Sequence, residues 1–446
     1  MPEPQHAGDY NIVSFLVHSH IEDEPINIAA HISEIEIYEN IELPYLTGTF
    51  NMKDDLSMYD SLISWNGTEM VDITFESPEN IGNFITKRFT VVEIIDTAKA
   101  TENIEGLEIK IIETNCFNNN MMQINSTYTG TPEQIIKKIL KDNLDMEMET
   151  DDMPGIKPYQ EPMKFVVPFI TPFEACEIIR SRMSTDLGLP YFLYSTLNTR
   201  NLQLKSLEEM LRTPSINKTA PYRFSQSFNQ STASAAAEEN LINVSAYSSA
   251  HKQNSLLLMA AGATAGQHSI TNITTGQTTK YTFDVDDLFR SMTDVDLIKK
   301  GTIPVHHSQY KFNNKMMNKY NTKNVHRAVM NDTYTGINNI HQDNGADGFR
   351  LAACNNALRN MLFKTSMNIR VPGRLYLIGS NASLGRQIDF IYPSNNTLIE
   401  GSSNVTASEV EDKKRSGVFI IYTARHHFND QQHNVDMSCV KLGNRK

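Results

Sequence analysis

Apolar and polar residues alternate from Ile32 to Ile112, as in Ile35/Ile37, Phe50/Met52, Val71/Ile73/Phe75, Val91/Val92/Ile94 and Leu107/Ile109/Ile111. A period of two puts every second side chain on one face of a strand, so the stretch predicts half-buried strands of about five to seven residues. Turn signals such as Asn66-Gly67 and Ser77-Pro78-Glu79-Asn80 separate them. Short strands joined by turns predict a small antiparallel barrel or sandwich over 1–118, not a doubly wound sheet.

The grammar changes after Asn118. Thr131-Pro132-Glu133 leads into Ile135, Ile136, Ile139 and Leu140, and Thr171-Pro172-Phe173-Glu174 leads into Ala175, Ile178, Ile179 and Met183. Threonine at the cap, proline at the first helical position and apolar residues three or four apart predict two amphipathic helices. With the strand Tyr191 to Tyr194 they make an α+β unit over 119–213.

Strand character returns at Tyr222 to Phe228, opening a region 214–250. Small-residue stretches (Ser231 to Ala237 and Ala260 to Gly266) and Ser/Thr-rich sequence up to Lys280 are expected to be loops. Asp284 to Lys300 and Phe349 to Phe363 have helical apolar stripes, the latter through Leu351, Leu358, Met361 and Leu362. These lie in a long insertion of loops and helices over 251–365. Strands resume over 366–446, at Met367 to Val371, Arg374 to Ile378, Gln387 to Tyr392, Val418 to Tyr422 and His433 to Val440.

The two β regions match in strand order. Gly48 to Met52 corresponds to Gly373 to Leu377, Met70 to Phe75 to Gln387 to Tyr392, Phe89 to Ile94 to Val418 to Thr423, and Leu107 to Ile111 to Asn434 to Ser438. The expected fold is mainly β with α+β insertions: two related small antiparallel β-barrels, the second split between 214–250 and 366–446.

The net charge of -12 argues against a general nucleic-acid binder. Residues 1–150 hold 27 acidic and 8 basic residues (net -19), which leaves 25 and 32 (net +7) for the rest. Such polarity either helps an acidic unit of one subunit dock beside a basic unit of the next or marks a merely solvated acidic face. No N-terminal signal pattern is read, and the longest apolar run, Leu256 to Ala261, is far short of the ~18 residues of a membrane span, so stable membrane insertion is not expected. Cys116, Cys176, Cys354 and Cys439 have no metal or redox spacing and read as buried thiols.

Enzyme signatures are missing: there is no G-x-S-x-G, H-E-x-x-H, P-loop, G-x-G-x-x-G or paired C-x-x-C. Neither an enzyme nor a cofactor is expected, although a glycosidase pair among 52 acidic residues is not legible either way. In the pairs His306-His307 and His426-His427 neighbouring side chains point to opposite sides, so no metal site is expected. Asp284, Asp286, Asp287, Asp294 and Asp296 lack the glycine and closing glutamate of a calcium loop and read as capping or solvated carboxylates. The acid-free segment Lys299 to Arg327 carries Tyr310, Lys311, Lys315, Lys319, Lys323 and Arg327, which fit an inter-subunit contact with an acidic surface better than DNA. Trp65 is a candidate interface anchor or a core residue.

Three segments carry a family resemblance. HISEIEIYENIELPYLTGTFNMKDDLSMYDSLISWNGTEMVDITFESP (31–78), FVVPFITPFEACEIIRSRM with GLPYFLYSTLN (165–198), and NIRVPGRLYLIGSNASLGRQIDFIYPS with RSGVFIIYTARHHFNDQQHNVDMSCVKLG (368–443) resemble, in order, the first barrel, inserted domain and second barrel of baseplate hub proteins. That family of contractile-tailed phages includes the T-even hub, the late control protein D group and the hub portion of the type VI secretion spike protein. The resemblance implies a homotrimer in the virion tail baseplate, assembled in the host cytoplasm. Each chain would supply two tube-like barrels, so that three chains meet a six-fold tail tube or its initiator on one face and a trimeric spike on the other. Other baseplate components would be neighbours, and DNA would be passing cargo. A hub of a phage-derived secretion or tailocin system has the same signature; a cell-envelope hydrolase of the tail tip is the reading from another class. The stretch 251–365 is longer than in the T-even pattern.

Overall fold

The structure is a computed structural model. It describes residues 10–445 apart from 21, 23, 56–62, 64, 77–83, 100–103, 152, 155, 157–162, 182, 219–220, 225–242, 252–253, 274–275, 299–301, 305–310, 330–345, 363–364, 374–383, 393–411, 413–414 and 430–431.

The first unit contains β1 (Asn11–His18), β2 (Ile32–Asn40), β3 (Thr47–Asp54), β4 (Met70–Glu76), β5 (Phe84–Lys99) and β6 (Glu105–Glu113). Their order in the sheet is β1-β4-β5-β6-β3-β2, all antiparallel. The alternation sets the faces: in β6, Leu107, Ile109 and Ile111 are buried while Lys110 is exposed. With Phe15, Ile35, Ile37, Phe50, Ile73 and Phe89 they form one core, each fully buried side chain contributing about 1.5–3 kcal/mol. β1 is an addition to the sequence reading. A Cβ on Gly48 would sit 2.5 Å from the Glu36 carbonyl oxygen across β2 and β3. Because backbone is the obstacle, Gly48→Ala is expected to destabilise the protein by about 1–3 kcal/mol in urea unfolding.

The second unit runs α1 (Thr114–Asn120), β7 (Thr127–Gly130), α2 (Pro132–Leu144), β8 (Met148–Glu149), β9 (Met163–Val166), α3 (Pro172–Arg180), β10 (Tyr191–Tyr194), β11 (Leu202–Ser206) and α4 (Leu207–Arg212). Both predicted helix starts are present. Thr131 and Thr171 each form a reciprocal capping box, with Gln134 and Glu174, ahead of a first-turn proline. Ile135, Ile136, Ile139 and Leu140 of α2 pack with Cys176 and Ile179 of α3.

The remainder holds β12 (Tyr222–Phe224), β13 (Asn243–Val244), β14 (Ala246–His251), α5 (Ser255–Ala261), β15 (Ala265–Asn272), β16 (Thr278–Asp284), α6 (Val285–Asp294), β17 (Lys323–Val329), α7 (Ala346–Leu362), β18 (Thr365–Pro372), β19 (Gln387–Ile391), β20 (Gly417–Asn429) and β21 (Gln432–Val440). Two expected loops are regular structure instead. Ala260 to Gly266 ends α5 and begins β15, and the polar sequence to Lys280 forms β15 and β16, paired antiparallel. Their small residues serve close packing: Ala263 and Ala265 are buried, and a Cβ on Gly266 would meet the Lys323 carbonyl oxygen of β17 at 3.1 Å. The helix expected over Asp284 to Lys300 ends at Asp294. Ser231 to Ala237, Arg374 to Ile378 and His306-His307 lie outside the described residues.

The last sheet runs β12-β19-β20-β21-β18-β14, antiparallel except for β12 with β19. Position by position this is the first unit's order, β1-β4-β5-β6-β3-β2. The short strands that precede β2 and β14, Ile26–Asn27 and β13, add to β1 and β12 alike. One bulge also coincides: β5 slips against β6 between Val91 and Glu93, and β20 slips against β21 between Ile421 and Thr423; β5 slips a second time, between Ile94 and Asp96, where β20 does not. The equivalences are then Val91 to Ile421, Ile111 to Cys439, Ile109 to Met437 and Val71 to Ile388.

The sequence correspondence was right for Met70 to Phe75, one residue out for the strands at Phe89 and Leu107, and wrong for Gly48, whose equivalent is Met367. One residue matters, because it moves a side chain to the other face. Two barrels were expected; the described strands of the two β regions join in one continuous 14-stranded sheet and form no closed barrel.

Candidate assembly interface

The two like sheets meet where β2 pairs antiparallel with β20, from Thr423 opposite Asn40 to Asn429 opposite Glu34. One face of this junction is a ladder of charge. Arg425 pairs with Glu36, His427 with Glu34, and Arg370 grips Asp436 through two bonds of 2.6 and 2.8 Å. Burial acts to raise the Glu36 pKa, but bonds from the Tyr38 hydroxyl and Arg425 hold it below its ordinary value. Glu34, Glu36 and His427 approach to within ligand spacing of one another, yet Arg425 already neutralises Glu36.

The opposite face is core. Glu39, His426 and His433 are buried in a row: His426 Nδ1 hydrogen-bonds His433 Nε2 at 3.0 Å, and His426 Nε2 lies 3.3 Å from Glu39. Phe428 stacks on His433 with centroids 4.2 Å apart. Gly373 leaves the space for that ring, since a Cβ there would come within 1.9 Å of His433 Nδ1. His426 and His427 thus point to opposite faces. Burial, then His426 and His427, push the His433 pKa well below its ordinary value.

Behind the junction three parts of the chain meet on one carboxylate. Glu42, just after β2, lies 3.0 Å from Arg180 of α3 and 3.7 Å from Arg359 of α7. Both guanidinium groups also donate to the Tyr191 carbonyl, at 2.8 and 2.9 Å. Burial and the neighbouring Arg180 lower the Arg359 pKa to about 10.

Among the described residues, β14 pairs only with β18, and the second half of β5, beyond its first bulge, pairs only with β6. Glu93 and Ile95 to Lys99 are exposed, as are Ala246, Ser248 and Ser249. The equivalent strands, β20 and β2, cover each other at the junction.

The residues singled out as interface candidates are scattered. Trp65 is in the first core, 6% exposed, with its ring 6.0 Å from Phe50. Lys311 is exposed, Lys315 lies 4.7 Å from the Tyr320 ring centre, and Lys319 pairs with Asp284 of the same chain. Asp284 also caps α6. Lys323 donates to the Ala261 carbonyl at 3.3 Å, and Arg327 stands opposite Ile270 in β17; Tyr310 lies outside the described residues. The edges of β5 and β14 were not among the candidates, because an open edge is a property of pairing and leaves no mark in one strand's sequence. All four cysteines are buried free thiols.

No protein-family model and no curated protein matches the chain. Solved structures do. A tail protein from Neisseria meningitidis MC58 aligns with a TM-score of 0.53 at 10% identity, over 97% of this chain and 96% of its own. The 43 kDa tail protein of prophage MuSo2 from Shewanella oneidensis aligns at 0.52 and 10% identity, over 96% and 98%. Prophage tail protein gp18 from Listeria monocytogenes EGD-e reaches 0.47 at 9% identity, over 96% and 95%. The first two establish the fold. The chain has the fold of phage tail proteins, and the resemblance drawn from its sequence holds at that level.

Proposed function

We propose that the chain is the structural hub of a phage contractile-tail baseplate, a homotrimeric ring between a six-fold tail tube and a three-fold central spike. Residues 1–118 form one tube-like module, and 214–250 with 366–446 the other; 119–213 and 251–365 are insertions. The observation that carries this reading is the duplication: one chain presents the same strand order twice, edge to edge in one sheet. A ring of three such chains offers six like modules, which removes the mismatch with a six-fold partner. The work is mechanical, with no catalytic step.

Electron microscopy of the purified protein tests this. Ring-shaped particles with six similar lobes around a lumen are expected, and added spike protein should occupy one face. Single, unringed particles at every concentration would overturn the reading, and cleavage of cell-wall substrate by the protein would replace it with the hydrolase.

A further inference from the structure

We infer that neighbouring copies of this chain join by pairing β14 of one with the second half of β5 of the next, in the register of the internal junction between β2 and β20. The inference rests on the proposed ring, and deepens it by naming the edges and the residues.

The argument is one of equivalence. β20 corresponds to β5 and β2 to β14, so the junction inside the chain is a contact between a β5-type strand and a β2-type strand. Among the described residues each chain therefore retains one unused strand of each type, on opposite modules. An exposed strand edge carries unpaired N–H and C=O groups and is a template for another strand. Ile95 (45%) and Val92 (37%), the residues that the two β5 bulges leave out of register with β6, are exposed, and the regular pairing positions Asp96 to Lys99 follow them. Charge agrees: β5 belongs to the acidic part of the chain and β14 to the part with net positive charge.

Register follows residue by residue. Arg425 is opposite Asp436, whose equivalent Glu108 is opposite Asp96; Tyr38 is opposite Thr47, whose equivalent Ser366 is opposite Ala250. Arg425 faces Tyr38 at the internal junction. Asp96 of one copy therefore faces Ala250 of the next, and by the same steps Ala98, equivalent to His427, faces Ser248, equivalent to Glu36. The contact is antiparallel and head to tail, so it extends until the ring closes.

Paired cysteines test this in the full chain. Directly opposite residues have Cβ atoms about 4.5–5.5 Å apart, within reach of a disulfide after small adjustment. Two variants are made, Asp96→Cys with Ala250→Cys and Ala98→Cys with Ser248→Cys, beside an out-of-register control, Ala98→Cys with Ala250→Cys. Single-cysteine variants check that native mass is unchanged. After mild oxidation, most chains of both in-register variants are expected to run as linked species of up to three chains that collapse on reduction, with several-fold less linkage in the control. A trimer by native mass that fails to link, or links equally in the control, would overturn this contact and leave the hub reading standing. A chain that stays monomeric would overturn both.

Discussion

Glu42→Gln is expected to lower stability by about 1–3 kcal/mol in urea unfolding, because it removes the counter-charge shared by buried Arg180 and part-buried Arg359 and leaves Arg180 only Glu177. Arg180 is 2% exposed and Arg359 is 21% exposed at the side chain, while Glu42 is 24% exposed. The value sits below the range for fully broken buried pairs because Glu42 and Arg359 retain some water and Arg180 retains Glu177. The effect should reach beyond the first unit, since Arg180 comes from the α+β unit and Arg359 from the insertion. The fully exposed pair Lys141–Asp145 supplies the control: Asp145→Asn should leave the midpoint unchanged. Equal midpoints for Glu42→Gln and the parent would show that the three parts do not depend on this cluster.

Acidification is expected to destabilise the junction through His433. An unfolded histidine takes a proton near pH 6.5, whereas the folded site resists it to well below that value. Since the folded pKa is the depressed one, the stabilising contribution is complete above about pH 6.5 and falls by about 1.4 kcal/mol per pH unit below it. The groups facing His433 give the reason. His426 is 3.0 Å away, Phe428 covers one ring face, and the Glu39 carboxylate is on the far side of His426. His427, Arg425 and Asp436 belong to the opposite face. Unfolding midpoints at pH 7.5 and 5.5 should therefore converge in His433→Phe relative to the parent, and an identical pH dependence in the two proteins would remove His433 as the cause.

Legibility followed the range of the interaction. The capping boxes at Thr131 and Thr171 are complete within four residues, and their helices stand where the sequence placed them. Strand alternation located most of β2 to β6 and β18 to β21, because a half-buried strand writes its burial into every second residue. It lost phase where apolar residues run together around a bulge, as at Val91-Val92 and Ile420-Ile421, so two correspondences slipped by one. Partners far apart in sequence left no signal. Glu42 and Arg180 are separated by 138 positions, and each side chain reads locally as an ordinary surface charge. In the basic segment the pairing of Lys319 with Asp284, 35 positions earlier, was likewise not legible.

If the duplicated sheet builds the proposed three-chain ring, the native mass of the protein reports it directly. For a chain of 50.5 kDa, a species of about 150 kDa is predicted, persisting on dilution and keeping its three chains when the spike is added. A stable 50.5 kDa monomer in both conditions would rule the ring out.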